Sequence, residues 1–161
     1  LSVLVYGYGN PGRLDDGLGP ALVRELAGRG VEATLETAYQ LQVEDAALVA
    51  DHGVVVFADA DAACAAPFEL RPLVPRGSAT FTTHAVAPDA VLGLAQKHFG
   101  GPATGFVLGI RGYEFDDYGE KLSPGARANL AAAADYMCRA LRDGSLQAVP
   151  AGSRGGDHGR G

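Results

Sequence analysis

The sequence predicts an α/β fold: a single domain of three layers, αβα, built on a mostly parallel five-stranded sheet that carries one antiparallel strand. Three observations point there. Short β-branched apolar runs alternate with segments of helical spacing, the signature of strands and crossover helices. The link from Asp61 to Pro67 is too short for the crossover of about a dozen or more residues that parallel pairing needs, so the next strand runs the other way. The chain has 161 residues, enough for one core that hides roughly two-thirds of the unfolded surface.

Ser2 to Tyr8 (SVLVYGY) has the form of a strand buried on both faces. From Asp15 the spacing turns helical, with Leu18, Leu22 and Leu26 on one face and Gly28 and Gly30 ending the run. Val31 to Ala38 reads as a second strand, Gln42 to Asp51 as a short helix, and Gly53 to Ala60 (GVVVFADA) as a third, deeply buried strand. Phe68 to Leu73 is the antiparallel strand. Pro88 opens a helix that reaches about His98, and Ala103 to Ile110 (ATGFVLGI) supplies the fifth strand. Ser123 as cap and Pro124 as first residue open an alanine-rich helix to about Arg142. The domain is expected to span residues 1–146. Residues 147–161, which close on AGSRGGDHGRG, read as a flexible C-terminal tail with no apolar face to dock.

Composition narrows the function. The net charge of −6 disfavours a nucleic-acid partner, because displacing counterions from phosphates takes clustered cations. No apolar run reaches the roughly 18 residues of a membrane span, and the chain opens on a strand pattern where a signal peptide would differ. A cytoplasmic, monomeric protein with no membrane partner is expected. Cys64 and Cys138 stand far apart in a cysteine-poor chain, which fits two reduced, inert thiols.

The loop after the first strand, Gly7-Tyr8-Gly9-Asn10-Pro11-Gly12, satisfies G-x-G-x-x-G between strand and helix, so a Rossmann-like nucleotide-binding module is one reading. Asp15 and Asp16 oppose it, since they stand where a pyrophosphate would meet the helix N-terminus. Asp15 reads as the helix cap and Asp16 as a dipole partner. Consecutive helical residues point about 100° apart, so only one of the two faces a cleft.

Taken whole, GYGNPGRLDDGLG resembles the G-x-G-N…D-[DE]-x-x-G opening of the hydrogenase maturation proteases, which trim the large subunits of nickel-iron hydrogenases. By that resemblance Asp16 is the first metal-contacting carboxylate and Asn10 shapes the loop. The family also carries an aspartate in a D-A context after the third strand, which Asp59-Ala60 matches, with Asp61-Ala62 as the alternative two residues on. Its histidine between the fourth strand and the next helix corresponds to His84 in Phe81-Thr82-Thr83-His84. In the common 2-1-3 strand order the first and third strands are neighbours, so Asp16 and Asp59 emerge together at the switch point, independently of the family match. Two carboxylates and an imidazole suit nickel or zinc. Glu36 falls where many relatives have an aspartate, but Thr37-Ala38-Tyr39-Gln40-Leu41 follows it instead of a glycine-rich loop.

The resemblance therefore implies a peptidase whose catalytic and metal-contacting residues are Asp16, Asp59 and His84. Its partner is a hydrogenase large-subunit precursor, from which it removes the C-terminal extension. The nickel is expected to be carried by that substrate, and no organic cofactor is expected. A non-enzymatic nickel chaperone using the same three residues is the other competing reading. No serine or cysteine sits in a nucleophile elbow with a paired base, which disfavours covalent catalysis.

Overall fold

The strand Val3–Tyr8 (β1) lies between two parallel partners, Thr34–Ala38 (β2) on one side and Val54–Asp61 (β3) on the other. This arrangement comes from a computed structural model, which describes residues 2–76, 86–101 and 104–146. Beyond β3 stands Thr104–Arg111 (β5), parallel to it, and the outer edge is Phe68–Leu73 (β4), antiparallel to β5. The order is β2-β1-β3-β5-β4. The expected mixed sheet is therefore present, with its antiparallel strand at an edge where Pro72 and the exposed Arg71 are tolerated.

Two helices cover each face. Leu18–Gly28 (α1) and Pro124–Asp143 (α4) pack over Val5, Val56 and Leu108, while Asp45–Ala50 (α2) and Pro88–Phe99 (α3) cover Leu4, Val55 and Phe57. All six of these sheet residues are fully buried, each worth about 1.5–3 kcal/mol against exposure. Ser123 caps α4 by accepting the Ala126 N–H at 3.3 Å, and Gly144 ends it in the left-handed conformation.

The boundaries differ from the sequence reading at three places. Residues Leu14–Gly17 form a separate 3-10 turn, and α1 begins only at Leu18. Strand β2 starts at Thr34 because its pairing with β1 begins at the Leu4–Thr34 register, so Val31 and Ala33 contribute packing without a ladder. Helix α2 starts at Asp45, whose carboxylate instead takes the Gln42 N–H at 2.8 Å and holds the preceding turn. The expected tail falls on residues 147–161, outside the described residues.

The close approach of α1 to the sheet fixes the opening loop. A β-carbon on Gly7 would lie 2.2 Å from the Gly19 carbonyl oxygen, and one on Gly19 would lie 2.5 Å from the carbonyls of Tyr8 and Ala58. Glycine at both positions lets helix and strands touch backbone to backbone. The loops that leave the carboxyl ends of β1 and β3 are thereby brought to one spot.

Candidate active site

Gly9 turns the chain out of β1 with φ of +138°, and a β-carbon there would lie 2.1 Å from the Asp16 carbonyl oxygen. Asn10 follows and works at both ends: its Oδ1 accepts the Gly12 N–H at 2.8 Å and its N–H donates to Asp16 Oδ2 at 2.8 Å. Asp16, half-buried, is thus pinned through one oxygen by the loop it closes. On the neighbouring strand, one step beyond the Gly7–Ala58 pairing, Tyr8 and Asp59 stand side by side. The Tyr8 hydroxyl hydrogen-bonds to Asp59, and the Ala60 N–H donates to Asp59 Oδ1 at 2.8 Å.

Burial pushes the Asp59 carboxyl up to about 6, helped by the negative charges of Asp16 and Asp61 and opposed by the Ala60 and Tyr8 donors. Tyr8 is raised too, by burial and then by the charge of Asp59. Asp16 and Asp59 therefore sense each other across the switch point between β1 and β3, where open α/β sheets place their ligands. From Asp59 a cleft of about 480 Å³ extends toward β4, lined by Tyr8, Asp61, Arg71, Val107 and Gly109 among others. Asp16 is not in its wall and acts on it through Asp59.

Asp61 points into the same cleft but is otherwise engaged. Its Oδ1 accepts the N–H groups of Ala63 at 2.8 Å and Cys64 at 3.0 Å, closing the turn after β3. Burial would raise its pKa; those two donors and the Arg71 charge outweigh it and hold the carboxyl below its ordinary value. Of the two candidates at this strand end, Asp59 is the one beside Tyr8 and Asp16. His84 lies outside the described residues. Glu36 is exposed on β2 in register with Tyr6, one strand further from the cleft, and is not brought to the site. Among the described residues no three His, Cys, Asp or Glu side chains cluster to hold a metal; Asp16 and Asp59 supply two carboxylates.

No protein-family profile and no curated protein sequence matches this chain. Solved structures do. HycI, a [NiFe] hydrogenase maturation protease from Thermococcus kodakarensis KOD1, superposes with a TM-score of 0.68 at 19% identity, covering 88% of this chain and 92% of its own. The hydrogenase maturating endopeptidase HybD from E. coli gives 0.65 at 19% identity over 93% and 98% of the two chains. The hydrogenase 2 maturation peptidase from Thaumarchaeota archaeon SCGC_AB-539-E09 gives 0.62 at 24% identity over 88% and 98%. This chain has the fold of the hydrogenase maturation endopeptidases.

Within that fold the glycine loop has a packing role and no phosphate cradle. Gly7 and Gly9 admit the backbones of Gly19 and Asp16, and the Asn10 N–H that would meet an anion is already given to Asp16. A pyrophosphate at this helix end would face the Asp16 carboxylate, so the geometry disfavours the nucleotide-binding reading.

Asp15 is not the helix cap expected from the sequence. It is fully buried and accepts four hydrogen bonds, from the N–H groups of Tyr113 (2.8 Å), Glu114 (3.0 Å) and Ser123 (2.8 Å) and from the Ser123 hydroxyl (2.7 Å). The carboxylate ties the site loop to the segment between β5 and α4. The main chains add to the junction: Leu14 N–H donates to Gly119 O and Gly119 N–H to Gly12 O, each at 2.8 Å. Sequence reasoning missed this latch and the Tyr8–Asp59 pair. The second was within reach, since the 2-1-3 order sets Tyr8 against Asp59 once the parallel register is drawn.

Both cysteines are free: Cys64 is buried and Cys138 half-buried. Burial and then the Asp61 and Glu69 charges push the Cys64 thiol up to about 11, which fits an inert role. His52 is satisfied within the core by Leu48 O at 2.8 Å and Thr34 Oγ1 at 2.9 Å. No helix among the described residues is long and apolar enough to cross a membrane.

Proposed function

We propose that this protein is an endopeptidase that removes the C-terminal extension of a nickel-loaded hydrogenase large-subunit precursor. The observation that carries the reading is the convergence of Asp16 and Asp59 at the β1/β3 switch point of a fold shared with solved hydrogenase maturation endopeptidases. On this reading it works in the cytoplasm, as a monomer, on a folded partner.

The nickel arrives with the substrate. Asp16, Asp59 and His84 offer hard or borderline donors and no thiolate, fewer than the four ligands that close a structural site. Such a set completes the sphere of an ion already held by the precursor, and in doing so sets the scissile bond in the cleft. Hydrolysis then needs a group to take a proton from the attacking water. A carboxylate oxygen of Asp59 that does not face the ion is placed for that task. The Ala60 and Tyr8 donors hold its carboxylate in place.

The test incubates purified, metal-stripped enzyme with precursor prepared with and without nickel and follows release of the C-terminal peptide by mass spectrometry. Cleavage of the nickel-loaded form alone is expected. Equal cleavage of both forms, or cleavage that requires zinc loaded onto the enzyme beforehand, would sink the substrate-borne nickel. Nickel-dependent binding with no cleavage would make the protein a chaperone, and the peptidase reading would fall.

A further inference from the structure

Five large apolar or aromatic side chains stand exposed among the described residues, and they are not spread evenly. Val74 and Phe99 lie toward the amino ends of the parallel strands: Leu73 pairs with Gly105 near the start of β5, and Phe99 closes α3 shortly before that strand. The other three, Tyr39, Tyr113 and Tyr118, follow the carboxyl ends of β2 and β5, at the end of the sheet where Asp16 and Asp59 meet. Tyr39 is 72% exposed and Tyr118 82%.

These two rings flank the loop that carries Asp16. On one side the Gly9 N–H donates to the Ala38 carbonyl at 3.0 Å, which sets Tyr39 beside the start of the loop. On the other the Arg13 guanidinium lies over the Tyr118 ring, 5.9 Å from its centroid, while the Arg13 carbonyl accepts the Asp16 N–H at 3.1 Å. The main-chain bonds of Gly119 to Leu14 and Gly12, and the hold of Asp15 on Tyr113 and Ser123, fix the segment on both sides of Tyr118. A ring held out in water this way offers a partner a large contact area at little entropic cost, which is why tyrosine recurs as an interface anchor. Neither ring lines the cleft, which runs from Asp59 toward β4, so a peptide lying there leaves both bare. The segment around Tyr118 also carries Glu114, Asp116, Asp117 and Glu120, all exposed, against Lys121 and Arg13. The partner surface that fits presents apolar side chains to the rings and cations around them.

We propose that Tyr39 and Tyr118 are the two anchors of a docking surface for the folded body of the large-subunit precursor, which sits astride the Asp16 loop while its C-terminal segment enters the cleft. The inference rests on the peptidase reading above. A contact away from the scissile bond is made equally in the ground and transition states, so it acts on KM and leaves kcat alone.

The experiment assays the full-length enzyme and its Tyr39→Ser, Tyr118→Ser and Phe99→Ser variants on the nickel-loaded precursor. Each tyrosine variant should raise KM about tenfold, the scale of an interface anchor, with kcat within about twofold. Phe99→Ser, which removes an exposed ring at the far end of the sheet, should keep the wild-type KM. Asp116→Lys should raise KM at low salt, and the rise should fade as salt is added. Melting curves of the two tyrosine variants should coincide with that of the wild type, as both rings are exposed. Wild-type KM in both tyrosine variants, or an equal rise in Phe99→Ser, overturns the proposal and leaves the peptidase reading standing. Sedimentation of the same proteins tests the other occupant: a wild type that self-associates beside monomeric tyrosine variants makes the surface a contact between two copies and also overturns it. If the wild type cleaves no precursor at all, the peptidase reading falls and takes the proposal with it.

Discussion

Replacing Asp15 by alanine tests how the site loop is held. The side chain is fully buried and accepts four hydrogen bonds of 2.7–3.0 Å, three of them from main-chain N–H groups between β5 and α4. A hydrogen bond to a charged group contributes about 1.5–3 kcal/mol, and a buried donor left unpaired costs about 1–3 kcal/mol. Water entering the vacated space would satisfy some of the donors, and neighbouring bonds do not add. The expected loss is therefore about 3–5 kcal/mol, the upper range for one substitution and a fall of about 10 °C in Tm for a domain of this size. Asp15→Asn keeps one acceptor but turns an amide toward donors, so roughly 2–3 kcal/mol is expected. The pH dependence is specific. Burial opposes ionisation of Asp15, yet the Ser123, Tyr113 and Glu114 donors outweigh it and hold the carboxyl below its ordinary value. A depressed carboxyl stabilises the fold above its unfolded pKa of about 3.9 and loses that contribution as pH falls through the folded value. The gap between wild type and variant should thus be constant above about pH 5 and close in acid. Urea and thermal denaturation across pH measure it, with hydrogen exchange of residues 112–123 as the local readout. A variant within about 1 kcal/mol of wild type, with unchanged exchange there, would refute the latch.

Other substitutions separate the carboxylates by role. Asp16→Asn, Asp59→Asn and His84→Ala should each lower processing by a factor of about 10² or more, measured by peptide release, without loss of the fold. Asp59→Asn should also melt above the wild type at neutral pH: a carboxyl raised to about 6 destabilises the fold progressively as pH rises between the unfolded value and 6, and the amide does not. Equal melting at pH 5 and pH 7.5 relative to wild type would contradict that. Asp61→Asn should cost about 1–2 kcal/mol through the Ala63 and Cys64 turn while processing continues; a stable but inactive Asp61→Asn would move the functional carboxylate two residues along. Gly19→Ala should be among the most damaging single methyl additions, at about 3 kcal/mol or more, because the methyl meets two carbonyl oxygens at 2.5 Å and α1 must lift off the sheet. A normal melting curve for it would show that helix and sheet can part at little cost.

Periodicity carried the architecture because burial in this chain is nearly all periodic. Val54 to Ala58 is buried throughout, as a strand covered on both faces must be, and Leu18, Leu22 and Leu26 repeat on one face of α1. The short Asp61–Pro67 link predicted the antiparallel strand by reach alone, and β4 lies antiparallel to β5. What failed were ends. Val31 is apolar enough to look like strand, but an edge strand extends only as far as its single partner does, and that partner starts at Val3. The apparent helix start at Asp15 failed for a related reason, since the 3-10 turn there is held by a segment a hundred residues later that local spacing cannot report.

The same distance in sequence divides the two acids of the opening motif. Asp15 and Asp16 are identical side chains on adjacent residues, and both fit the first turn of a helix. Their fates differ because one meets Tyr113, Glu114 and Ser123 in the interior while the other turns back onto Asn10 of its own loop. The Asp15 contacts are long-range and invisible to any window of the sequence; the Asp16 contact spans six residues and follows from the loop's glycines. The buried acid therefore acts on the site through position alone: it fixes the turn, the turn fixes Asp16, and Asp16 raises the basicity of Asp59 across the switch point. Asp15→Asn should therefore lower stability first and processing only as the loop loosens.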